Sequence, residues 1–289
     1  MPGTLYLCAT PIGNLGDMTP RVVETLQTVD VIAAEDTRNS IKLLNHFDIH
    51  TPMTSYHEYN KVEKAHQLVG QLLNGQNIAL ITDAGTPAIS DPGEVLVRMC
   101  QEQNVPVTSL PGPAACITAL TLSGLSTRRF CFEGFLPADK KEKKAILEEL
   151  KTESRTMILY EAPHHLIRTL EELYAALGER RITLCRELTK DYEQIRRGTI
   201  AEIHQSVIDE PPRGEMVLVI AGASDEEADA AAPASLSVED LAVLSIDRAQ
   251  EDNLRIKDAI AQVVAEHPLA DGSLANRKQV YNAVLALKG

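Results

Sequence analysis

Four short segments of this 289-residue chain hold residue types suited to gripping a small polar ligand, and each directly follows an apolar run. The most informative is ITDAGTPAISDPG, residues 81–93. Pro87 and Pro92 stiffen such a loop, and Gly85 lets the backbone come close to a ligand. Asp83 is placed to accept hydrogen bonds from ribose hydroxyls or an amino group, and neighbouring backbone amides suit the edge of an adenine. The competing reading is a rigid turn in which Asp91 caps the next helix. In AEDTRNS, residues 34–40, Glu35, Asp36 and Arg38 crowd charge at a strand end. Asp36 and Thr37 also suit capping of the following helix, and Arg38 also suits pairing with a carboxylate. TPIGNLGD, residues 10–17, offers glycines for a tight turn; it is not GxGxxG and lacks the Walker lysine, so dinucleotide or triphosphate cradling is not supported. In LPGPAA, residues 110–115, the small Ala114 and Ala115 open a helix against a ligand.

These loops need strands to carry them. Short apolar runs at 5–9, 31–35, 52–56, 78–82 and 105–110 alternate with helical patterns at 40–47, 62–73 and 94–103. That alternation predicts a parallel α/β sheet. Loops at the ends of its neighbouring strands converge on one shared pocket. Thr19 followed by Pro20 marks a helix start. A second unit begins near Arg128, with strands predicted at 130–135, 156–161, 182–188 and 215–221 and helices at 140–151 and 164–177. Its strand pairs without long helices between them predict a mixed sheet. Residues 223–237 read as a solvated acidic linker. The tail beyond has helical periodicity at 240–244, 254–266 and 273–287 and is too short for a strong core of its own. The expected organisation is 1–124, 125–223, a linker at 224–239 and a helical extension at 240–289.

A net charge of −13 argues at first sight against a nucleic-acid partner. The charge is unevenly spread. Asp225, Glu226, Glu227, Asp229, Glu239 and Asp240 lie in one stretch without a basic residue, whereas Arg128, Arg129, Lys140, Lys141, Lys143, Lys144 and Lys151 gather positive charge in another. The lysines of 140–144 read either as a solvated helix face or as an RNA-phosphate contact. Five scattered cysteines with no CxxC spacing are expected to be buried free thiols in a reducing cytosol. No apolar run approaches the roughly 20 residues needed to span a bilayer, and no secretory signal is expected at the N-terminus. Nothing supplies the remaining ligands that a metal at His57, His164 or His165 would need, so no metal is expected.

Taken in order, TPIGNLGD, AEDTR, DAGTPAISDPG, LPGPAA, FEGFLP (132–137), YEAPHH (160–165), RELTK (186–190) and GEMVLVIAG (214–222) resemble the ribosomal small-subunit methyltransferase I family of the tetrapyrrole methylase superfamily. The likeness covers about residues 3–223. It implies two α/β domains, S-adenosyl-L-methionine (AdoMet) in a cleft, a homodimer, and 2′-O-methylation of a cytidine ribose in the decoding region of 16S rRNA. Carried over, Pro11, Asp83, Ala84, Gly85, Thr86, Ala88, Ile89, Pro113 and Ala114 line the cofactor, joined by Tyr160, Glu187 and Leu188. Two positions depart from the pattern. Thr86 stands where many superfamily members have aspartate, so that contact does not transfer. His165 stands where the ribosomal branch commonly has arginine.

A ribose hydroxyl is a poor nucleophile, so alignment is the first requirement, and a positioned base adds to it. Glu187, Lys190 or Asp36 is the expected residue to accept or orient the hydroxyl proton, and Arg38 to steady a phosphate. For Glu187 and Lys190 the alternative is a strand-end ion pair. Arg128, Arg129, Lys140, Lys141, Lys143 and Lys144 are the expected RNA contacts. Two other functions stay open: methylation of a porphyrin-like molecule or a protein side chain on the same scaffold, and a non-enzymatic AdoMet or nucleotide sensor. A dehydrogenase is disfavoured by the missing GxGxxG.

Overall fold

A computed structural model describes residues 1–224, 237–252, 254–267 and 274–288. The chain divides into two compact units, Met1–Glu227 and Ala228–Gly289. The first holds two five-stranded sheets.

The first sheet is built by β1 (Leu5–Cys8), α1 (Pro20–Thr28), β2 (Val31–Ala34), α2 (Thr37–His46), β3 (Met53–Ser55), α3 (Lys61–Leu73), β4 (Ile78–Ile81), α4 (Glu94–Glu102), β5 (Val107–Leu110) and α5 (Ala115–Ser123). Its order is β3-β2-β4-β1-β5, and every pairing is parallel. Alternate residues face opposite sides, as a pleated strand requires. Ala33 and Leu80 pack with α3 and α4, while Ile32, Ala34 and Ile81 pack with α1 and α2. All four residues of the central β4 are therefore buried. Thr19 caps α1, its hydroxyl accepting from the Val22 N–H at 3.3 Å, with Pro20 at the first helical position.

The second sheet is built by β6 (Phe130–Phe135), α6 (Lys140–Leu150), β7 (Thr156–Glu161), α7 (Leu166–Leu177), β8 (Arg181–Arg186), β9 (Gln194–Thr199), α8 (Ile200–Asp209) and β10 (Met216–Ile220). Its order is β6-β7-β10-β8-β9; β6 runs parallel to β7 and the other pairs are antiparallel. Helices α6, α7 and α8 cover one face. On the other face lies α5, apolar on every side, whose Cys116, Ala119 and Leu120 pack on Ile158, Cys185, Val217 and Val219. β9 and α8 were not expected from the periodicity. β9 is a polar edge strand, and α8 opens on a reciprocal capping box between Thr199 and Glu202.

The second unit has helices at Val238–Glu251, Ile256–Glu266 and Arg277–Lys288 around Leu241, Ile260, Val263, Val264, Val280 and Val284. Most of the sequence-predicted acidic linker, including Asp225, Glu226, Glu227 and Asp229, lies outside the described residues. All five cysteines are free and four are buried. Among the described residues no helix is long and apolar enough to cross a membrane, and no group of His, Cys, Asp and Glu is placed to hold a metal ion.

Candidate active site

Because β1, β2, β4 and β5 are parallel, their following loops leave the same sheet edge, and backbone contacts knit them together. Thr10 and Gly85 form an isolated antiparallel bridge, with N–H to carbonyl distances of 2.8 and 3.0 Å. The Thr86 hydroxyl donates to the Pro113 carbonyl at 2.9 Å. Asp83 ties the β4 loop to the β2 loop. It accepts from the Asp36 N–H at 3.2 Å and the Asn39 side-chain amide at 2.9 Å, while its own N–H donates to the Glu35 carboxylate at 3.3 Å.

The second sheet closes the opposite wall. Register places Tyr160, Val217 and Cys185 side by side on adjacent strands, on the face that α5 covers. The Tyr160 hydroxyl accepts from the Cys116 N–H at 3.2 Å, and its ring meets Phe132 and Phe135 edge-on. Between the walls opens a cleft of about 520 Å³, in the range of small-molecule sites. Its rim is strained in places. Of the six non-glycine residues with positive φ among the described residues, Ala88, Ser90, Glu187 and Thr189 belong to the two loops that border it. Such conformations persist where the surrounding structure holds them. A methyl group on Gly13 would fall 2.7 Å from Lys190 Cγ and 2.9 Å from the Leu188 carbonyl, so only glycine lets the first loop seat against the β8–β9 connection.

Of the sequence-predicted residues, Asp83, Ala84, Gly85, Thr86, Ile89, Ala114, Tyr160, Glu187, Leu188 and Lys190 line the cleft. Pro11, Ala88 and Pro113 do not line it; they adjoin or brace residues that do. Asp36 and Arg38 are also outside the lining. Asp36 caps α2 and holds Arg38 at 2.7 Å, and that guanidinium keeps its carboxyl down at about 2. Arg38 itself is 87% exposed. Glu187 and Lys190 form an ion pair of 3.1 Å at the cleft wall. The predicted RNA contacts lie elsewhere. Lys140, Lys143 and Lys144 line a separate groove of about 320 Å³ between α6 and α7, where Lys143 pairs with Glu172 at 3.0 Å. Lys141, Arg128 and Arg129 are exposed and line neither.

The site also contains residues that sequence reasoning missed. Asp91 does not cap α4; Gly93 occupies that position, and Asp91 lines the cleft with Glu35, Asp83 and Glu215. Burial pushes the Asp91 carboxyl up to about 7, helped by the negative charges of Glu35, Glu215 and Asp83. Burial likewise pushes Glu35 up. Glu187 adds a fifth carboxyl to the same partly apolar cleft, set against Lys190 and Arg186, and an organic cation placed there would favour the charged forms of Asp91 and Glu35.

The family model for tetrapyrrole (corrin/porphyrin) methylases matches residues 4–204. The chain is 49% identical, over 99% of both proteins, to the ribosomal RNA small subunit methyltransferase I of Synechocystis sp.. It is 52% identical to the protein of the same name from Haemophilus influenzae, over 77% of this chain and 80% of that one. The chain belongs to this methyltransferase family. Among solved structures, diphthine synthase (TM-score 0.59, 12% identity, 79% of this chain and 94% of that one) shares its fold. So does the Thermus thermophilus uroporphyrin-III C-methyltransferase (TM-score 0.55, 16% identity, 76% and 94%).

The methyltransferase family uses AdoMet, and the cleft fits it. AdoMet carries a sulfonium and an ammonium against one carboxylate, and Glu35, Asp83, Asp91 and Glu215 are the carboxyl residues of the lining that would face those charges. Ile12, Ile89, Ala115, Leu188 and Val217 give the cleft apolar walls that would suit an adenine, and Ala84 and Gly85 are the small residues of its lining.

Proposed function

We propose that this methyltransferase transfers the methyl group of AdoMet to the 2′-hydroxyl of a cytidine ribose in 16S rRNA, in the cytosol and as a homodimer. The observation that carries the reading is the 49% identity over 99% of both chains with a ribosomal RNA small subunit methyltransferase I. The cleft supplies matching chemistry.

AdoMet supplies a methyl group on a positively charged sulfur. The residues of the chain have three tasks around it. The carboxyl groups of Glu35, Asp83, Asp91 and Glu215 and the apolar walls hold the donor. The strained loops at Ala88–Ser90 and Glu187–Thr189 fix the cleft before substrate arrives, which is where most of the advantage of an aligned transfer lies. Glu187, kept in place by Lys190, takes or orients the proton leaving the hydroxyl. Asp36 is the weaker candidate for that proton, because its charge is committed to Arg38. Arg38, exposed beside the β4 loop, steadies a phosphate. Arg128, Arg129, Lys140, Lys141, Lys143 and Lys144 contact the backbone of the RNA at a distance from the cleft. The organisation proposed is a cofactor domain at 1–124, a second domain at 125–223, a linker at 224–239 and a helical extension at 240–289.

The test is transfer from labelled AdoMet to purified 30S subunits, followed by mass mapping of the methylated ribose. Label on a porphyrin-like acceptor and none on RNA would replace this reading with small-molecule methylation. Tight AdoMet binding without product on any acceptor would replace it with a sensor.

A further inference from the structure

Tyr192 is 80% exposed in a chain with seven tyrosines, four phenylalanines and no tryptophan. It lies on the connection between β8 and β9, and that connection is fixed by its own hydrogen bonds. The Lys190 N–H donates to the Glu187 carbonyl and the Glu193 N–H to the Lys190 carbonyl, both at 3.1 Å. The Glu193 carboxylate reaches back to the Thr189 N–H at 2.9 Å. Glu187 and Thr189 hold left-handed backbone, with φ of 50° and 69°. Lys190 lines the cleft and rests against the loop that contains Gly13. Tyr192, two residues further along the same connection from a residue that lines the cleft, is an aromatic ring presented to solvent.

Its surroundings indicate what covers it. Lys190, Asp191 and Glu193 are all exposed, so the residues beside the ring along the chain carry charge. The buried centre of a protein interface is depleted of charge. An unstacked RNA base has a flat face for the ring, amino edges that the Asp191 carboxylate can accept from, and a phosphate for Lys190. We propose that Tyr192 stacks on an unpaired base of the rRNA substrate next to the ribose presented to the cleft. This inference rests on the rRNA reading above.

The experiment compares the full-length wild type with Tyr192→Ala, Tyr192→Phe and Tyr192→Trp for binding to purified 30S subunits at one salt concentration, for AdoMet binding, and for sedimentation. Tyr192→Ala is expected to weaken binding to the subunit by about tenfold or more, the scale of one lost base stack. Tyr192→Phe keeps the affinity, and all variants bind AdoMet as the wild type does. Because the chain has no other tryptophan, Tyr192→Trp reports the contact directly when protein-free 16S rRNA is added: its fluorescence is quenched by the RNA and unchanged by AdoMet. Wild-type affinity in Tyr192→Ala, with methylation intact in the wild type, overturns the stacking contact alone. Dissociation of an oligomer by Tyr192→Ala, with unquenched Tyr192→Trp, overturns it in favour of a protein contact. A wild type that methylates no RNA overturns both this inference and the reading beneath it.

Discussion

Replacing Asp91 with asparagine tests whether its carboxyl shares one poorly solvated cleft with those of Glu35, Asp83 and Glu215. In the folded chain the Asp91 carboxyl titrates near 7, against an ordinary value of 3.8, because of burial and of Glu35, Glu215 and Asp83. A raised folded value means that the native state binds the proton more tightly than the unfolded state. The associated stability is fully present below about pH 4 and is lost as pH rises through about 7. Between 3.8 and about 7 the difference is worth ~4 kcal/mol at face value, which partial exposure of the carboxyl reduces to about 2. Asparagine keeps the shape and never ionises. Asp91→Asn is therefore expected to raise the free energy of unfolding by about 2 kcal/mol at pH 8, with the gain shrinking to nothing near pH 4. Urea unfolding followed by circular dichroism at the two pH values measures it, and a slope of roughly 2–3 kcal/mol/M would move the pH 8 midpoint by somewhat under 1 M. The same substitution removes one negative charge facing the donor and weakens AdoMet binding at pH 8. Equal effects of Asp91→Asn on stability at both pH values would refute the clustered arrangement.

Gly13→Ala places a methyl group against Lys190 and the Leu188 carbonyl, an overpacking of about 1–3 kcal/mol. Calorimetry should show AdoMet affinity falling by about tenfold, and an unchanged affinity would separate that loop from the cofactor site. Tyr160→Phe deletes the hydroxyl that accepts from the Cys116 N–H and should cost about 1 kcal/mol in urea unfolding. Arg38→Ala should weaken rRNA binding and reduce the slope of log affinity against log salt by about 1, with AdoMet affinity intact. A salt slope equal to that of the wild type would remove Arg38 from the RNA contacts.

The alternation of apolar runs and helical patterns over the first 120 or so residues was sufficient to read a parallel sheet, because buried parallel strands are near-continuously apolar. The loops after β1, β2, β4 and β5 stood out for their Gly, Pro and Asp content, and the sheet brings them to one edge. β9 was not legible. Gln194–Thr199, QIRRGT, is an edge strand whose polar residues give no period-2 apolar signal. α8 was legible in principle, since Thr199 and Glu202 have capping-box spacing ahead of Ile200, Ile203 and Val207. Asp91 entered the sequence reading only in the competing alternative, as a helix cap, because an aspartate shortly before a helix has two uses, and only the fold reveals that Gly93 takes the cap. Glu215 was hidden in the same way, since its place beside Glu35 depends on two sheets facing each other.

Helix α5 leaves the last strand of one sheet and lies on the face of the other, where Cys116, Ala119 and Leu120 meet Ile158, Cys185, Val217 and Val219. Dissecting the gene after codon 124 would leave a greasy helix dangling from the amino-terminal fragment and a bare sheet face on its complement. Each fragment made alone would aggregate, and only co-expression would return a soluble pair. The folding of the two halves is thereby coupled, so neither side of the cleft can be exchanged between relatives unless this helix travels with the surface that receives it.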